Sequence, residues 1–150
     1  MVWKPRTTVA AVIEADGRYL LVEEADAEGN RVLNQPAGHL EPGESLEAAV
    51  IREVAEETRR DFTPGALVGI YRWDGAPDGS TFMRFTFAGS VGEEIAGRER
   101  DADILATHWL TAEEVREAGA SGRLRSPLVA RTLEDYLRGE RYPLTVLQEV

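Results

Sequence analysis

Glu53, Glu56 and Glu57 stand close together in a stretch that also carries Arg52 and is preceded by Gly38 and Glu44. Carboxylate oxygens are hard ligands, the type that suits Mg²⁺ or Mn²⁺ rather than zinc or copper. At roughly 100° per residue, a helix here brings Leu46, Val50, Glu53 and Glu57 within about 60° of one another. Two acids then share the direction of apolar side chains, and Glu56 lies further round the same side, near Ala49. A solvated charge run belongs on the face opposite the apolar stripe. Glu53 and Glu57 also repel as an i,i+4 pair, and Glu56 and Glu57 approach the negative end of the helix dipole. Broken local rules of this kind point to a functional site. A second reading stays open: Arg52 reaches Glu56 at i+4, and Arg59 and Arg60 suit the helix terminus, as in an acidic surface helix laced with ion pairs. Gly38, a Pro42-Gly43 loop and Glu44 lead back to the same helix, and a glycine lets backbone carbonyls approach a cation.

Several elements must position these residues. Two apolar runs, Val9–Ile13 and Tyr19–Val22, flank Asp16-Gly17, a hairpin signal. A short strand, Val32–Gln35, stops at Pro36, and the chain from Gly38 to Glu44 reads as a loop. Ser45 suits an N-cap for a helix running to about Arg59, with Glu47 at its positive end. Strands are expected at Leu67–Trp73, Phe82–Ala88 and Ile104–Leu110. Thr111-Ala112-Glu113-Glu114 is a capping-box signature, and Ser126-Pro127 opens a last helix ending near Gly139. Strands before, between and after a few helices predict an α/β fold, a mixed sheet covered on both faces.

The 150 residues suit one domain spanning 1–150, and 43% apolar with 29% charged residues is ordinary globular composition. Seventeen Lys and Arg against 27 Asp and Glu leave a charge of −10, which argues against broad attraction to nucleic acid or an anionic membrane. The absence of cysteine excludes disulfides, thiolate zinc sites and a cysteine nucleophile, and two histidines leave little for a His-rich metal site. Neither a signal peptide nor a membrane span is expected, so the expected location is cytoplasmic.

Written out, Gly38-x5-Glu44-x7-Arg52-Glu53-Val54-x-Glu56-Glu57 resembles the Nudix box, Gly-x5-Glu-x7-Arg-Glu-U-x-Glu-Glu-x-Gly-U, where U is a bulky apolar residue. Arg59 and Arg60 depart from its last glycine and apolar positions. Lys4-Pro5, Val22-Glu23-Glu24, Asn34 to Glu41, Arg84-Phe85, Asp103 to Trp109, Arg125 to Val129 and Arg141 to Leu144 are similar to the NudJ-type phosphatase branch. The resemblance implies a Nudix α/β/α sandwich with a mixed sheet, Mg²⁺ dependence with Mn²⁺ as a substitute, and hydrolysis of phosphoanhydrides. It also implies small-molecule substrates: nucleoside tri- and diphosphates, and thiamine-type diphosphates such as thiamine diphosphate and hydroxymethylpyrimidine diphosphate. No stable nucleic-acid or membrane partner is expected, and the chain would act as a monomer or homodimer. Two other readings are a Nudix hydrolase cutting internally, on ADP-ribose or capped RNA, and a Nudix-fold ligand sensor without turnover. The four retained glutamates weigh against the sensor, which has no use for their mutual repulsion.

Carried over by position, Glu53, Glu56 and Glu57 would be metal ligands, with a backbone carbonyl of Ala37 or Gly38 as another. Glu44 would support or deprotonate water, and Arg52 would hold the carboxylates in place. Asp103 would be a second acid, ahead of Asp101 and Glu99. For the substrate, Tyr71 and Trp73 share a strand face by alternation, which suits either a stacked ring or a core pair. Arg84 among phenylalanines needs an acid or a phosphate as partner. Arg6 and Arg125 are further candidates or surface charge. His39, Asn34 and Gln35 could line the mouth or anchor loops, and His108 reads as structural.

Overall fold

The computed structural model describes all residues, 1–150. The first apolar run forms β1 (Arg6–Ala15), and the chain reverses through Asp16 and Gly17, both at positive φ, into β2 (Arg18–Ala25). Positive φ at both central residues is the type I′ geometry whose twist matches paired strands. β3 (Arg31–Asn34) follows, then β4 (Ala37–His39), α1 (Leu46–Thr58), β5 (Phe62–Trp73), β6 (Phe82–Val91) and β7 (Ile104–Thr111). Two helices, α2 (Ala112–Ala120) and α3 (Pro127–Leu137), and a 3-10 turn at Leu144–Val146 complete the chain.

β1 organises the sheet by changing partners along its length. Residues Arg6 to Ile13 run parallel to β6, and Thr8 to Ala10 pair antiparallel with β4 on the other side. At Glu14 and Ala15 the same strand pairs with β2, which in turn carries β3 and β7. A mixed sheet, β4-β1-β6-β5, therefore meets an antiparallel one, β3-β2-β7, at β1. Side chains of opposite parity on β1 feed two cores. Val9, Ala11 and Ile13 pack with Val50 and Val54 of α1 and with Phe87. Val12 packs with Leu21, Val115 of α2, and Val129 and Leu133 of α3. Helices thus cover both faces, as expected of an α/β fold with a mixed sheet.

Two expectations are corrected. Ala37–His39, read as loop, is a strand, because its amides and carbonyls pair with β1, where Val9 meets Gly38 and Thr8 meets His39 from far along the chain. β5 begins at Phe62 rather than Leu67; a register shift at Pro64/Ala66 absorbs a proline that cannot donate to a ladder, and a second shift follows at Leu67/Gly69. The capping box closes as expected, with Thr111 and Glu114 exchanging bonds, and Ser126 caps α3 with Pro127 in its first turn. No helix is long and apolar enough to cross a membrane.

Candidate active site

Ser45 starts α1 by accepting a bond from the Ala48 amide at 3.0 Å, and Glu47 sits in the first turn. The helix buries Ala49, Val50, Glu53, Val54, Glu57 and Thr58, so the two acids do share the apolar face. The exit departs from a glycine-terminated helix only in residue type. Arg59 adopts the left-handed conformation, φ 60° and ψ 27°, and its amide still donates to the Ala55 carbonyl. The carbonyls of Arg59 and Glu56 accept from the amides of Ile95 and Asp101, at 2.9 and 2.8 Å. The helix end thereby fixes the loop that follows β6.

Arg52 is the hub of the acid cluster. Its Nε and Nη2 clasp the Glu44 carboxylate at 2.9 and 2.6 Å, Nη1 donates to Glu53 at 2.8 Å and to Glu56 at 3.3 Å, and Nη2 also reaches the His39 carbonyl at 3.0 Å. This bidentate grip holds the Glu44 carboxyl below the usual range. Glu53 goes the other way: burial pushes it up despite Arg52. Glu57 is 6% exposed, accepts only the Ala37 amide at 2.8 Å and takes part in none of the molecule's ion pairs, so burial raises it to about 9. The motif glycine has a use besides the one expected. A methyl group on Gly38 would overlap the Glu53 carboxylate, so the missing side chain is what lets that acid lie against β4.

No three acidic or histidine side chains are gathered as a ready-made metal site in this structure. Arg52 draws Glu53 and Glu56, while the Ala37 amide draws Glu57, because unneutralised carboxylates repel. The donor set nonetheless fits a hard divalent cation. It consists of oxygens alone, and it includes a buried carboxylate that lacks any positive partner.

Asp101, exposed in the loop after β6, is the outer acid whose charge acts on Glu53 and Glu57. Asp103, placed ahead of it from sequence, is exposed and donates its amide to Asp101 Oδ1 at 3.1 Å. The Ile104 amide closes the same tight turn on the Asp101 carbonyl at 3.0 Å. Glu99 is exposed in the same loop.

Arg84 is 5% exposed on β6, in register with Thr8 and Tyr71. Its single side-chain bond runs from Nη2 to Asn34 Oδ1 at 3.2 Å, leaving most of a five-donor guanidinium unengaged. Burial lowers it to about 10, against the fields of Glu24 and Glu57. Asn34 also donates to Glu24 at 3.3 Å, and Arg125 pairs with Glu24 at 3.4 Å. Asn34, Arg84 and Arg125 therefore do meet, around Glu24. Sequence reasoning missed Glu24 as a site residue; two acids ending the apolar run of β2 were the available signal.

The remaining residues divide. Gln35 is buried, and its amide donates to the Val129 carbonyl at 2.9 Å, so it anchors α3 instead of lining the mouth. Tyr71 shares its face with Trp73, as alternation predicts, but its hydroxyl is committed to Asp135 of α3 at 2.7 Å. His39 and Arg6 are exposed near Phe82. His108 pairs with Glu23 at 2.7 Å, away from the acid cluster, in keeping with its structural reading.

Residues 3–130 match the NUDIX domain family model. The chain is 41% identical over 145 residues to Phosphatase NudJ of Escherichia coli, covering 97% of this chain and 92% of the relative. It superposes on a NUDIX hydrolase from Nitrosomonas europaea with a TM-score of 0.93 at 50% identity, over 98% of each chain. The ORF135 protein of E. coli is more distant, at 26% identity and a TM-score of 0.67 over 90% of each chain. Members of the family generally use divalent metal ions, which agrees with the all-oxygen donor set around Arg52. An arginine-tethered set of glutamates on a loop-strand-helix, matched over most of its length to that family, places this chain among the Nudix hydrolases, enzymes that act on phosphorus anhydrides.

Proposed function

We infer that this Nudix hydrolase is a Mg²⁺-dependent phosphatase that releases orthophosphate from nucleoside tri- and diphosphates, and from thiamine-type diphosphates. The observation that carries the metal dependence is Glu57, a buried carboxylate with no cation of its own beside two further acids. Even with Glu57 neutral, the other glutamates outnumber the one guanidinium among them and leave the cluster negative, so a polyphosphate cannot settle there unless cations come with it. The relative's designation as a phosphatase supports release of the terminal phosphate.

Glu53, Glu56 and Glu57 would hold Mg²⁺, with Mn²⁺ as a substitute, and the backbone carbonyl of Gly38, on the strand against which Glu53 lies, would be a further ligand. A bound cation neutralises phosphate oxygens and eases deprotonation of water. The rest falls to the chain. Water adds to the terminal phosphorus, the bridging P–O bond breaks, and the shortened phosphate leaves with the electron pair. Glu44, kept ionised by Arg52, or Asp101 at the outer edge takes the proton from water. Arg52 is a positioning residue, since its bonds go to glutamates and to the His39 carbonyl of the chain itself. Arg84 gains the acceptors it lacks when a phosphate enters beside Asn34, and Arg125 adds a second positive charge at the rim.

The test is product analysis with cytidine triphosphate, cytidine diphosphate, thiamine diphosphate and hydroxymethylpyrimidine diphosphate, with and without Mg²⁺. Orthophosphate appearing only with Mg²⁺ is expected, and Glu57→Gln should reduce kcat at least about a hundredfold while the fold is retained. Pyrophosphate and a monophosphate as the products from the triphosphate would instead make the enzyme an internally cutting hydrolase. Unchanged Mg²⁺-dependent turnover in Glu57→Gln would remove the site assignment.

A further inference from the structure

Four side chains from four strands meet at one end of the mixed sheet. Phe82 pairs in register with Arg6 on one side and Trp73 on the other, and His39 pairs with Thr8 on the same face. The Phe82 and Trp73 rings stack at 5.9 Å between centroids with 27° between planes. His39 lies 6.3 Å from Phe82 at 40°, and the Arg6 guanidinium stands 5.9 Å from the Phe82 centroid.

This cluster is not core. Phe82 and Trp73 belong to neither hydrophobic cluster and are absent from the partly buried residues packed against them, whereas Phe85 and Phe87 of the same strand are in or against the α1 core. Both rings remain partly exposed. The indole is nevertheless seated, because a methyl group on Gly75 would come within 2.6 Å of Trp73 Nε1. A seated aromatic pair outside the core holds apolar surface in water with no return to the fold.

Its location supplies the return. Arg84 is two residues from Phe82 on the same strand and face, roughly 7 Å away along β6. His39 follows Gly38 directly, and its carbonyl accepts from Arg52. A ring on the platform and a phosphate at Arg84 thus lie on one path toward the acid cluster. The polar groups of the adjoining loop are already paired among themselves: Asp74 accepts from Thr81 and Arg72, and Asp78 accepts from Ser80 and pairs with Arg6. Recognition therefore falls to the face of the ring.

We propose that Phe82 and Trp73 form the stacking platform for the substrate's heterocycle, making the enzyme selective for diphosphates that bear a planar aromatic ring. This rests on the phosphatase reading above. Hydrolysis of cytidine diphosphate is compared with hydrolysis of inorganic triphosphate, a substrate without a ring, in the parent protein, Phe82→Leu and Trp73→Leu. The ratio of the two kcat/KM values should fall about tenfold in each variant, through KM for the cytidine nucleotide. Separately, cytidine monophosphate should quench the tryptophan emission of the parent protein and not that of Trp73→Leu, in which Trp3 and Trp109 remain.

An unchanged ratio in both variants, or quenching that survives Trp73→Leu, overturns the proposal. Quenching that depends on Trp73 in a protein that releases no orthophosphate would leave the platform standing and remove the phosphatase reading.

Discussion

Alanine at Gly38 would force either Glu53 away from β4 or β4 away from β1, since the added methyl group and the carboxyl cannot share the space. Gly38→Ala is expected to cost about 1–3 kcal/mol of stability, as overpacking does. It should also reduce kcat/KM by at least about tenfold through the displaced acid. A denaturant melt beside the phosphate-release assay checks both, and a variant as active and stable as the parent would show that Glu53 has another resting place. The spacing of Glu53, Glu56 and Glu57 was legible because helical periodicity alone puts acids on an apolar face. Glu24 and Phe82 were not legible in those roles, and Asp101 was legible only behind Asp103. Asp101 takes its place from the end of α1, Glu24 from Asn34 on the neighbouring β3 and Phe82 from Trp73 on the neighbouring β5.

The exit of α1 turns on Arg59. A side chain in the left-handed region costs about 1–2 kcal/mol, where glycine pays no such steric penalty. Part of the cost is offset by the Arg59–Glu94 ion pair, a partly exposed one and so worth little. Arg59→Gly should therefore stabilise the protein by up to about 1 kcal/mol, raising Tm by roughly 2–4 °C in a thermal melt. A lower Tm would mean that the ion pair outweighs the strain. At this scale the strong signals served well: the Asp-Gly hairpin, the Ser45 cap and the Thr111 capping box all formed as read. The three-residue β4 gave no such signal, since a Pro-Ala-Gly-His segment looks like loop until β1 lies alongside it.

Across the molecule, α3 is fastened to the sheet by a polar tie. Asp135 is 6% exposed and accepts from Tyr71 of β5 at 2.7 Å and from Arg131 at 3.2 Å, with Arg138 also against it. Burial pushes its carboxyl up, but the Tyr71 hydroxyl and the two guanidiniums more than offset this and hold it below the ordinary 3.8. A carboxylate depressed in the folded state contributes stability that is complete above its unfolded value and vanishes as pH falls through the folded one. Asp135→Asn should accordingly cost about 1–3 kcal/mol near pH 7, a range set by hydrogen bonds to a charged group whose arginine partners are largely exposed. The gap from the parent should close below pH 3.8, as denaturant melts from pH 7 to 3 would record. A constant gap would deny Asp135 the charged state. The α/β class was legible from the order of elements, but the parallel pairing of β1 with β6 was not, because strands so far apart in sequence carry no mutual register signal.

That shared first strand has one more effect. Ten residues near the amino terminus are stitched into both sheets and, by alternate side chains, into both apolar interiors. A chain so threaded offers no seam along which half could come loose by itself. Its slowest-exchanging amides, on either side of β1, should surrender their protons in one concerted opening.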